Sequence, residues 1–562
     1  MPALALLALA AASTVAAGRA AAPASPIQLA HASHHRGLAR RRSAFPGSPR
    51  GSVPPLRRVG NDAGGYVLAV TDFGADPTGR TDSSAAITKA LKEAWAIGRR
   101  NGYNFSFGPD LGGVVVDLVG GQYLLESPVA WPAQAGGNVV VQHGSLHAGA
   151  SFPAGRYLFE LDSVPPPEGV GGGGCLGGDD PLSAGCLTRP AAGRLSGTAT
   201  GYDDVTFRSV LFDSALRGGG LKLLNALRVY VDGCYFLGYA AGSAGLWTTE
   251  AGGAAYVAQS WFSGFDWPSE RCGPDLGLTG TALLVEFPDS MAEEVIVACS
   301  WAGMVDRSGA FIASSVHVFG VSNAPGSGYF SYEKPQGASR LVAPYVDFSR
   351  IFVAAGAALS VEQGFFLGCA RAPNETTHPF IVVNASVSGA RVVEVTGLTV
   401  RSSQFHGRQC GGDGVRSSAI ETRGLAGRGV ALTDSVVEDN VFLGMQGVAT
   451  RLRGSVFGTD TGRFELDWTH GVAFPDAVGL GASAFDSLVV GSKRFDSSPV
   501  VAAVVDAASV GGLVVVTTSE NVTGSVSVHA DQSSYSTGRR WADGGHAARH
   551  SAAAGLTRAA TE

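Results

Sequence analysis

Short β-branched runs broken by glycine dominate the pattern of hydrophobic and polar positions beyond residue 110. The segments GGVVVDLVGGQYLL, GNVVVQHGSL and RYLFELDS are typical of short strands that end in tight turns. Ahead of them, Ile87, Leu91, Ala94 and Trp95 recur at helical spacing and form one apolar face. Asp82 stands where an N-cap would, so the pattern predicts a helix over residues 83–98.

An eight-residue pattern recurs without gaps at five places, 231–238, 257–264, 361–368, 400–407 and 437–444, and with serine for glycine at 207–214. Its template is valine, two variable residues, a small or polar residue, a variable residue, phenylalanine, a variable residue and glycine. We expect valine to close one strand, the small residue to turn the chain, and phenylalanine to point inward from the next strand. Such a unit cannot bury its apolar face alone, so the repeat predicts a solenoid.

The predicted fold is an all-β, single-stranded, right-handed parallel β-helix over residues 63–475. Propeller signatures and Asn-Gly hairpins are absent from the sequence, which disfavours a propeller or a sandwich. The open ends of a solenoid need cover. The helix near 83–98 is expected to cap the first coil, and residues 476–530, which lack the template, are expected to form a small β module at the other end.

Composition adds limits to this fold. The 562 residues are 45% hydrophobic and 16% charged, with 79 glycines in no triplet period, which indicates a large core with many turns and excludes collagen. The formal charge of −6 disfavours nucleic acid or an anionic membrane as a partner.

The two ends of the chain differ in character from the middle. An apolar run at residues 3–12, followed by small residues, predicts a signal peptide over 1–22, the alternative being an apolar low-complexity leader. Residues 23–62 are expected to be a flexible leader and residues 531–562 a disordered tail. Secretion is also indicated by four glycosylation sequons, at Asn104, Asn374, Asn384 and Asn521.

The chain has seven cysteines, in none of the spacings typical of a metal site, so no metal or other cofactor is predicted. In a secreted chain some of them should pair. We expect the disulfides Cys175–Cys186, which would close a glycine-rich loop, and Cys369–Cys410. The odd number leaves at least one thiol free or paired with another chain.

Several segments resemble a known family. VTDFGADPTGRTDSSAAITKAL (70–91) resembles the start of the pectate-lyase-like and polygalacturonase β-helix proteins. SGFDWPSERCGPDLGLTGTALLVEF, ASSVHVFGVSN and SVEQGFFLG narrow the resemblance, which spans roughly residues 66–530, to plant QUARTET-type polygalacturonases. It implies a secreted, monomeric cell-wall hydrolase that cuts α-1,4 bonds between galacturonates in pectin. It also implies inversion by two carboxylates about 6.5–9.5 Å apart.

The family's catalytic motifs are not intact here. Gly253-Ala254-Ala255 stands where the branch carries Gly-His-Glu, and Phe287-Pro288-Asp289-Ser290 keeps only the aspartate of Gly-Asn-Asp-Asn. From the resemblance and their positions, we predict catalytic roles for Asp289, Glu294, Asp306 and His317. Substrate carboxylates are expected to bind Arg217, Lys222 and Lys334.

Structural alternatives stay open for each candidate. Asp289 and Asp306 could serve turns, Glu294 could be a solvated charge at a strand start, and His317 could be an inward or loop histidine whose hydrogen bonds the backbone satisfies. The aspartates Asp76 and Asp82 are interpreted as a turn residue and a helix cap. Two other functions also stay open: a non-catalytic pectin-binding protein, and a lyase, whose chemistry usually needs a Ca²⁺-binding acidic cluster that the sequence does not display.

Overall fold

The computed structural model of the protein describes most of residues 57–532. The described segments are 57–59, 65–98, 104–105, 108–133, 136–161, 202–224, 226–249, 253–266, 271–272, 280–319, 329–331, 338–354, 356–368, 377–384, 392–407, 417–424, 429–468, 471, 473, 487–495, 503–505 and 512–532. The predicted signal peptide, almost all of the leader, and the tail beyond residue 532 lie outside them. In the described part, no helix is both long and apolar enough to cross a membrane.

Each coil of the molecule contributes strands to three parallel rows, in which every strand pairs with its counterpart in the next coil. The strands of row 1 are Gly65–Ala69, Gly108–Asp117, the first halves of Gly136–Ala148 and Tyr202–Asp213, Arg228–Asp232, Ala254–Ala258, Met291–Glu293, Ile312–Ser314, Ser339–Val342, Leu359–Glu362, Thr399–Arg401 and Val436–Glu438.

Row 2 lies beside row 1 and is reached through a single turn residue. Its strands are Thr78–Asp82, Gln122–Leu125, the second halves of the two long strands, Tyr235–Leu237, Trp261–Ser263, Ile296–Ala298, His317–Phe319, Tyr345–Asp347, Phe365–Leu367, Gln404–His406 and Val441–Leu443. Row 3 closes each coil with Val129–Ala130, Tyr157–Leu161, Gly219–Leu223, Ala244–Thr248, Thr281–Val285, Ala302–Asp306, Tyr329–Ser331, Ile351–Ala354, Ile381–Asn384 and Ile420–Arg423.

A few described elements stand outside the rows. Val70–Phe73 is a 3₁₀ turn, Arg57–Val59 pairs antiparallel with the first strand of row 1, and Asn104–Phe105 and the pair Phe265–Asp266 and Arg271–Cys272 form short hairpins. Val392–Thr396 and Gly429–Thr433 form a separate parallel pair.

The turn between rows 1 and 2 explains the small position of the repeat. One residue there adopts positive φ in coil after coil, including Gly233 at 59° and Gln259 at 48°. The small residue that follows then bonds the adjacent coil: Ser260 Oγ accepts from the N–H of Cys234 (3.2 Å) and donates to the carbonyl of Ala258 (2.7 Å). The small side chain therefore satisfies backbone groups that a sharp turn would leave unpaired.

The phenylalanines of the repeat stack inside the solenoid. Phe236 lies between Phe212 and Phe262, with ring centroids 4.8 and 4.5 Å away and planes within 6°. Three further repeat rings, Phe366, Phe405 and Phe442, form a second stack. Between the two stacks, three coils carry valine instead of phenylalanine at this position: Val297, Val318 and Val346. The sequence template requires phenylalanine and therefore does not detect these coils.

The helix Ser84–Gly98 packs at the start of the solenoid. The Asp82 carboxylate accepts from the N–H of Ser84 (3.0 Å) and from the N–H of Glu126 (3.1 Å), so it caps the helix and ties it to a strand of the first coils. On the inner face, the Trp95 ring meets Trp131 at 5.3 Å and Tyr202 at 6.3 Å. These aromatic contacts seal the apolar end of the first coils.

Asp76 has the structural role predicted for it. Its two oxygens accept from the backbone N–H groups of Thr78, Arg80 and Thr81 and from two threonine hydroxyls. These bonds, first among them that of the Thr78 hydroxyl, hold the pKa of the carboxyl far below its usual range. The group organises the turn that leads into the capping helix.

An antiparallel sheet follows the last coil, and its strands are Arg451–Asp467, Ser487–Phe495, Ala503–Val505 and Leu513–Asp531. It starts before the predicted boundary at residue 475, because Arg451–Asp467 alternates polar and apolar positions and pairs along most of Leu513–Asp531. Arg451 joins the sheet to the solenoid through Glu438 (3.1 Å) and Asp531 (3.0 Å). The predicted all-β parallel β-helix with a capping helix and a terminal β module is confirmed.

The described cysteines bear partly on the disulfide predictions. Cys234 is a buried free thiol, whereas Cys299 is disulfide-bonded to a cysteine whose side chain is not described. The predicted pairs Cys175–Cys186 and Cys369–Cys410 lie outside the described residues.

Of the four sequons, Asn521 is exposed, Asn384 ends a row 3 strand half-buried, Asn104 begins a short strand, and Asn374 lies outside the described residues. Their glycosylation stays a prediction.

Truncation of the stacked ring Phe236 should weaken the solenoid. Phe236→Ala removes a fully buried ring with neighbours on both faces, so the free energy of unfolding should fall by about 3–5 kcal/mol. Phe457→Ala is the matched control, because that ring is 66% exposed and its loss should cost less than about 0.5 kcal/mol. Urea unfolding monitored by circular dichroism tests this, and equal losses in both variants would contradict it.

Candidate functional site

The outer face of row 3 carries a cluster of charged and aromatic side chains. Along Gly219–Leu223, Leu221 and Leu223 are buried, so Lys222 between them points outward. In register with Lys222 stand Glu160 in the preceding coil and Trp247 in the following one. The Lys222 ammonium lies over the Trp247 ring, 5.0 Å from its centroid.

Glu286 is the most enclosed acid of this face, with a side chain only 10% exposed. It follows the strand Thr281–Val285, and its Oε2 accepts from the indole N–H of Trp247 (3.1 Å). Its Oε1 accepts from Arg307 of the next coil (3.4 Å). The backbone N–H of Glu286 donates to the Thr248 hydroxyl (2.9 Å), which fixes the turn that presents the carboxylate.

A second acid, Glu160, is held by Arg156. The guanidinium donates to both carboxylate oxygens, and the N–H of Tyr157 donates to Oε1 (3.0 Å). Burial raises the pKa of the Tyr157 phenol, and the negative charges of Glu160 and Glu286 raise it further. Glu160 stands in register with Lys222, and Glu286 bonds Trp247 on the other side of Lys222, so both carboxylates flank this lysine.

The glycines that precede Lys222 belong to the packing of this site. A Cβ on Gly219 would lie 2.1 Å from the Tyr157 ring and 2.4 Å from the carbonyl oxygen of Ala244. Only glycine lets the strand approach the phenol so closely. Arg217 lies in the turn before this strand, where its carbonyl accepts from the N–H of Gly155 (2.7 Å), and Lys334 lies outside the described residues.

Two predicted catalytic residues occupy exposed turns. Asp289 lies three residues after Glu286, in the connection from row 3 to the row 1 strand Met291–Glu293, with φ at 58°. Glu294, with φ at 53°, is instead the turn residue between rows 1 and 2, and its carboxylate accepts from the Gln259 amide of the preceding coil (3.1 Å). Of the two, Asp289 is the nearer in the chain to Glu286.

Asp306 is fully buried inside the solenoid. One oxygen accepts from the N–H (2.7 Å) and hydroxyl (2.7 Å) of Ser308 and from the N–H of Gly309 (3.2 Å), and the other accepts from the Ser339 hydroxyl. Every bond serves a turn or ties it to the adjacent coil. The geometry supports the turn role that the sequence left open.

His317 lies on row 2, away from the row 3 cluster. Its ring stacks on Tyr345 at 4.3 Å with planes 3° apart, and burial lowers its pKa. Its Nε2 is buried and has no hydrogen-bond partner in the described part of the chain. Asp347, at the end of the strand that starts with Tyr345, is 9% exposed, and burial raises the pKa of its carboxyl to about 6.

The structure thus joins Lys222 to four residues that sequence reasoning missed: Glu160, Trp247, Glu286 and Arg307. The alternation of side chains along the strands could have revealed two of them. Glu286 directly follows the apolar strand residues LLV, and Trp247 is the half-buried residue in the otherwise buried strand AGLWT. A charged or indole side chain among buried strand residues indicates a functional face.

Asparagine substitution should separate the roles of two predicted catalytic acids. Asp306→Asn presents amide hydrogens to serine donors in a closed site, so the free energy of unfolding should fall by about 2–3 kcal/mol. Asp289→Asn, in an exposed turn where asparagine tolerates positive φ, should change it by less than about 0.5 kcal/mol. Urea unfolding measures both values, and a neutral Asp306→Asn would contradict the structural role.

Asp347 should make stability depend on pH. Its pKa is about 6 in the folded protein against an ordinary 3.8, so folding favours the protonated form. The stability it contributes is present below about pH 4 and is lost as the pH rises through about 6. In Asp347→Asn, the fall in unfolding free energy between about pH 4 and about pH 7 should shrink by about 2 kcal/mol.

The matched control for this pH dependence is Asp439→Asn, in an exposed turn, which should keep the wild-type fall. An unchanged fall in Asp347→Asn would contradict the assignment.

Comparisons with known proteins bear on the family. No protein-family model matches the chain. Polygalacturonase QRT3 of Arabidopsis thaliana is 27% identical over 419 residues, which cover 74% of this chain and 75% of that protein.

Two solved structures are similar at low sequence identity. PfbA, a surface adhesin of Streptococcus pneumoniae, is 13% identical with a TM-score of 0.35, over 67% of this chain and 92% of that one. The tailspike protein of E. coli bacteriophage HK620 is 12% identical with a TM-score of 0.37, over 89% of this chain and 99% of that one.

The resemblance predicted from the motifs is confirmed by the sequence comparison: over 74% of its length, this chain is similar to a polygalacturonase of the QUARTET type.

Proposed function

We propose that the outer face of row 3 binds an acidic polysaccharide of the pectin class and hydrolyses its galacturonosyl bonds. The observation that carries the proposal is the enclosed Glu286 carboxylate, which lies between the Trp247 indole and the Arg307 guanidinium on a face that also presents Lys222. The similarity to a polygalacturonase supports the class of substrate.

Substrate binding would use the cations and the indole of this face. Lys222 supplies positive charge for a galacturonate carboxylate, and Arg307, which is paired with Glu286, holds that acid in place. The Trp247 ring offers a flat apolar surface for the C–H face of a sugar. Arg156 is engaged by Glu160, so this pair rather sets the shape and charge of one end of the site.

Hydrolysis needs two carboxylates, one that protonates the leaving oxygen and one that activates water on the opposite face. We assign these to Glu286 and Asp289. Three residues of chain span at most about 10 Å between Cα atoms, which is compatible with the separation of about 6.5–9.5 Å that inversion requires. Asp289 is exposed and so within reach of water, whereas Glu286 is enclosed by protein donors. No cofactor takes part in this chemistry.

Release of reducing ends from polygalacturonate tests the proposal. Glu286→Gln and Asp289→Asn should each lower the rate by about 10²- to 10⁴-fold, because each removes a proton donor or acceptor from the reaction. Glu421→Gln is the control, since this acid lies on row 3 five coils away, bonded to Thr377 and Arg423. It should keep the rate within about twofold, and a Glu286→Gln enzyme of wild-type rate would contradict the assignment.

A second function is favoured by the pairing of the acids. Glu160 is bound by Arg156 and Glu286 by Arg307, and charge-paired carboxylates suit binding as well as catalysis. The family's Gly-His-Glu is also replaced by Gly253-Ala254-Ala255. Retention of the wild-type protein on immobilised polygalacturonate without any release of reducing ends would establish this function. An unsaturated product absorbing in the ultraviolet would indicate a lyase.

We further propose that the protein is secreted to the cell wall and acts as a monomer. The apolar segment and the sequons support export, as does the disulfide at Cys299, because disulfides persist in oxidising compartments.

A further inference from the structure

A column of rings runs along the outer face of row 2, on the strands that follow the turn residue of each coil. Tyr235, Trp261, Ile296, His317, Tyr345 and Phe365 stand in register in consecutive coils. We call these six residues the aromatic column. Parallel strands lie about 4.8 Å apart, so the column extends for about 24 Å. All six side chains are half-buried, which leaves part of each of the five rings, and of Ile296, on the surface.

Polar atoms within this apolar surface lack hydrogen bonds. The indole N–H of Trp261 and the Nε2 of His317 are buried without a partner among the residues that the structure describes. Asp347 lies on the same face as Tyr345, because side chains two residues apart on a strand share a face. Its Oδ1 is also buried without a hydrogen-bond partner among the described residues. Each buried, unpaired polar group costs about 1–3 kcal/mol, so rotation of these side chains toward a sugar hydroxyl would remove this penalty when a ligand binds.

The face differs in charge from row 3, which carries the basic side chains Lys222 and Arg307. The neighbouring outward column consists of Leu237, Ser263, Ala298, Phe319, Asp347 and Leu367, so neither column holds a lysine or an arginine. Its Phe319 is 37% exposed, and Phe348 in the following turn is 38% exposed. Two acids of row 2 and its turns, Asp347 and the exposed Glu294, would repel a polyanion.

We propose that the aromatic column is a second polysaccharide-binding surface, which takes an uncharged sugar chain. The rings stack on the C–H faces of successive sugars, and Trp261, His317 and Asp347 exchange hydrogen bonds with their hydroxyl groups. The acidic chain bound at row 3 and the neutral chain bound at row 2 occupy different faces of the same coils. This binding does not depend on whether row 3 is catalytic.

Polygalacturonate and its fully methyl-esterified form are suitable probes, because they share a backbone and differ in charge. In titration calorimetry, the double variant Trp261→Ala, Tyr345→Ala should bind the esterified chain at least about 10-fold more weakly. Its binding of the acidic chain should change by less than about twofold. The control is Tyr256→Ala, which removes a ring of similar size from the outer face of row 1, stacked on Tyr230 at 5.2 Å, and should leave both affinities unchanged.

Trp261→Phe keeps the test decisive if the double variant does not fold. This substitution retains a ring but removes the N–H, and should weaken binding of the esterified chain about threefold. Unchanged binding in Trp261→Phe and in the folded double variant would overturn the proposal, as would equal losses in Tyr256→Ala. A wild-type dimer that these variants convert to monomer in sedimentation velocity would also overturn it, because the column would then be an interface between copies.

Discussion

The stacking of each coil on the next, through parallel strands in fixed register, is the constraint on which the rest of this protein depends. Because a strand alternates its side chains, one register places Phe212, Phe236 and Phe262 in a column inside the solenoid. The same register aligns Glu160, Lys222 and Trp247 in a column outside. The same ladder of hydrogen bonds therefore sets both the packing of the core and the alignment of the surface residues.

This arrangement leaves each turn with unpaired backbone groups, and the protein meets them with small polar side chains. Ser260 bonds the preceding coil, and Asp306, buried at the end of a row 3 strand, bonds its own turn and the Ser339 hydroxyl of the adjacent coil. Buried polar groups of this kind cost little when every donor and acceptor is paired. A buried aspartate whose oxygens are both bonded to a turn or to the adjacent coil, such as Asp306, therefore indicates a structural role. Glu286 is enclosed but lies on the outer face, which indicates a functional role.

The three faces of the solenoid have different chemistry because their outward positions are free of the demands of the core. Row 3 gathers Lys222, Arg307 and Glu286 around an indole, and row 2 presents rings with hardly any formal charge. A solenoid can support several binding faces on the same coils in this way, since loops and outward residues vary without disturbing the inner stacks.

The sequence by itself determined the architecture, since the repeated phenylalanine and valine positions, the helical spacing before Trp95 and the turn chemistry of Asp76 and Asp82 are all local patterns. It also carried the family resemblance. It could not determine the site, because Glu160, Lys222 and Trp247 are adjacent only after coils of unequal length have stacked. Nothing in the local pattern tells that Asp306 points inward and Glu286 outward, or that Glu294 and His317 lie on other faces. Only the tertiary structure decided which residues form the site, because the hydrogen-bond ladder aligns residues from different coils. The loops between those coils differ in length, so the spacing of these residues in the chain follows no fixed period.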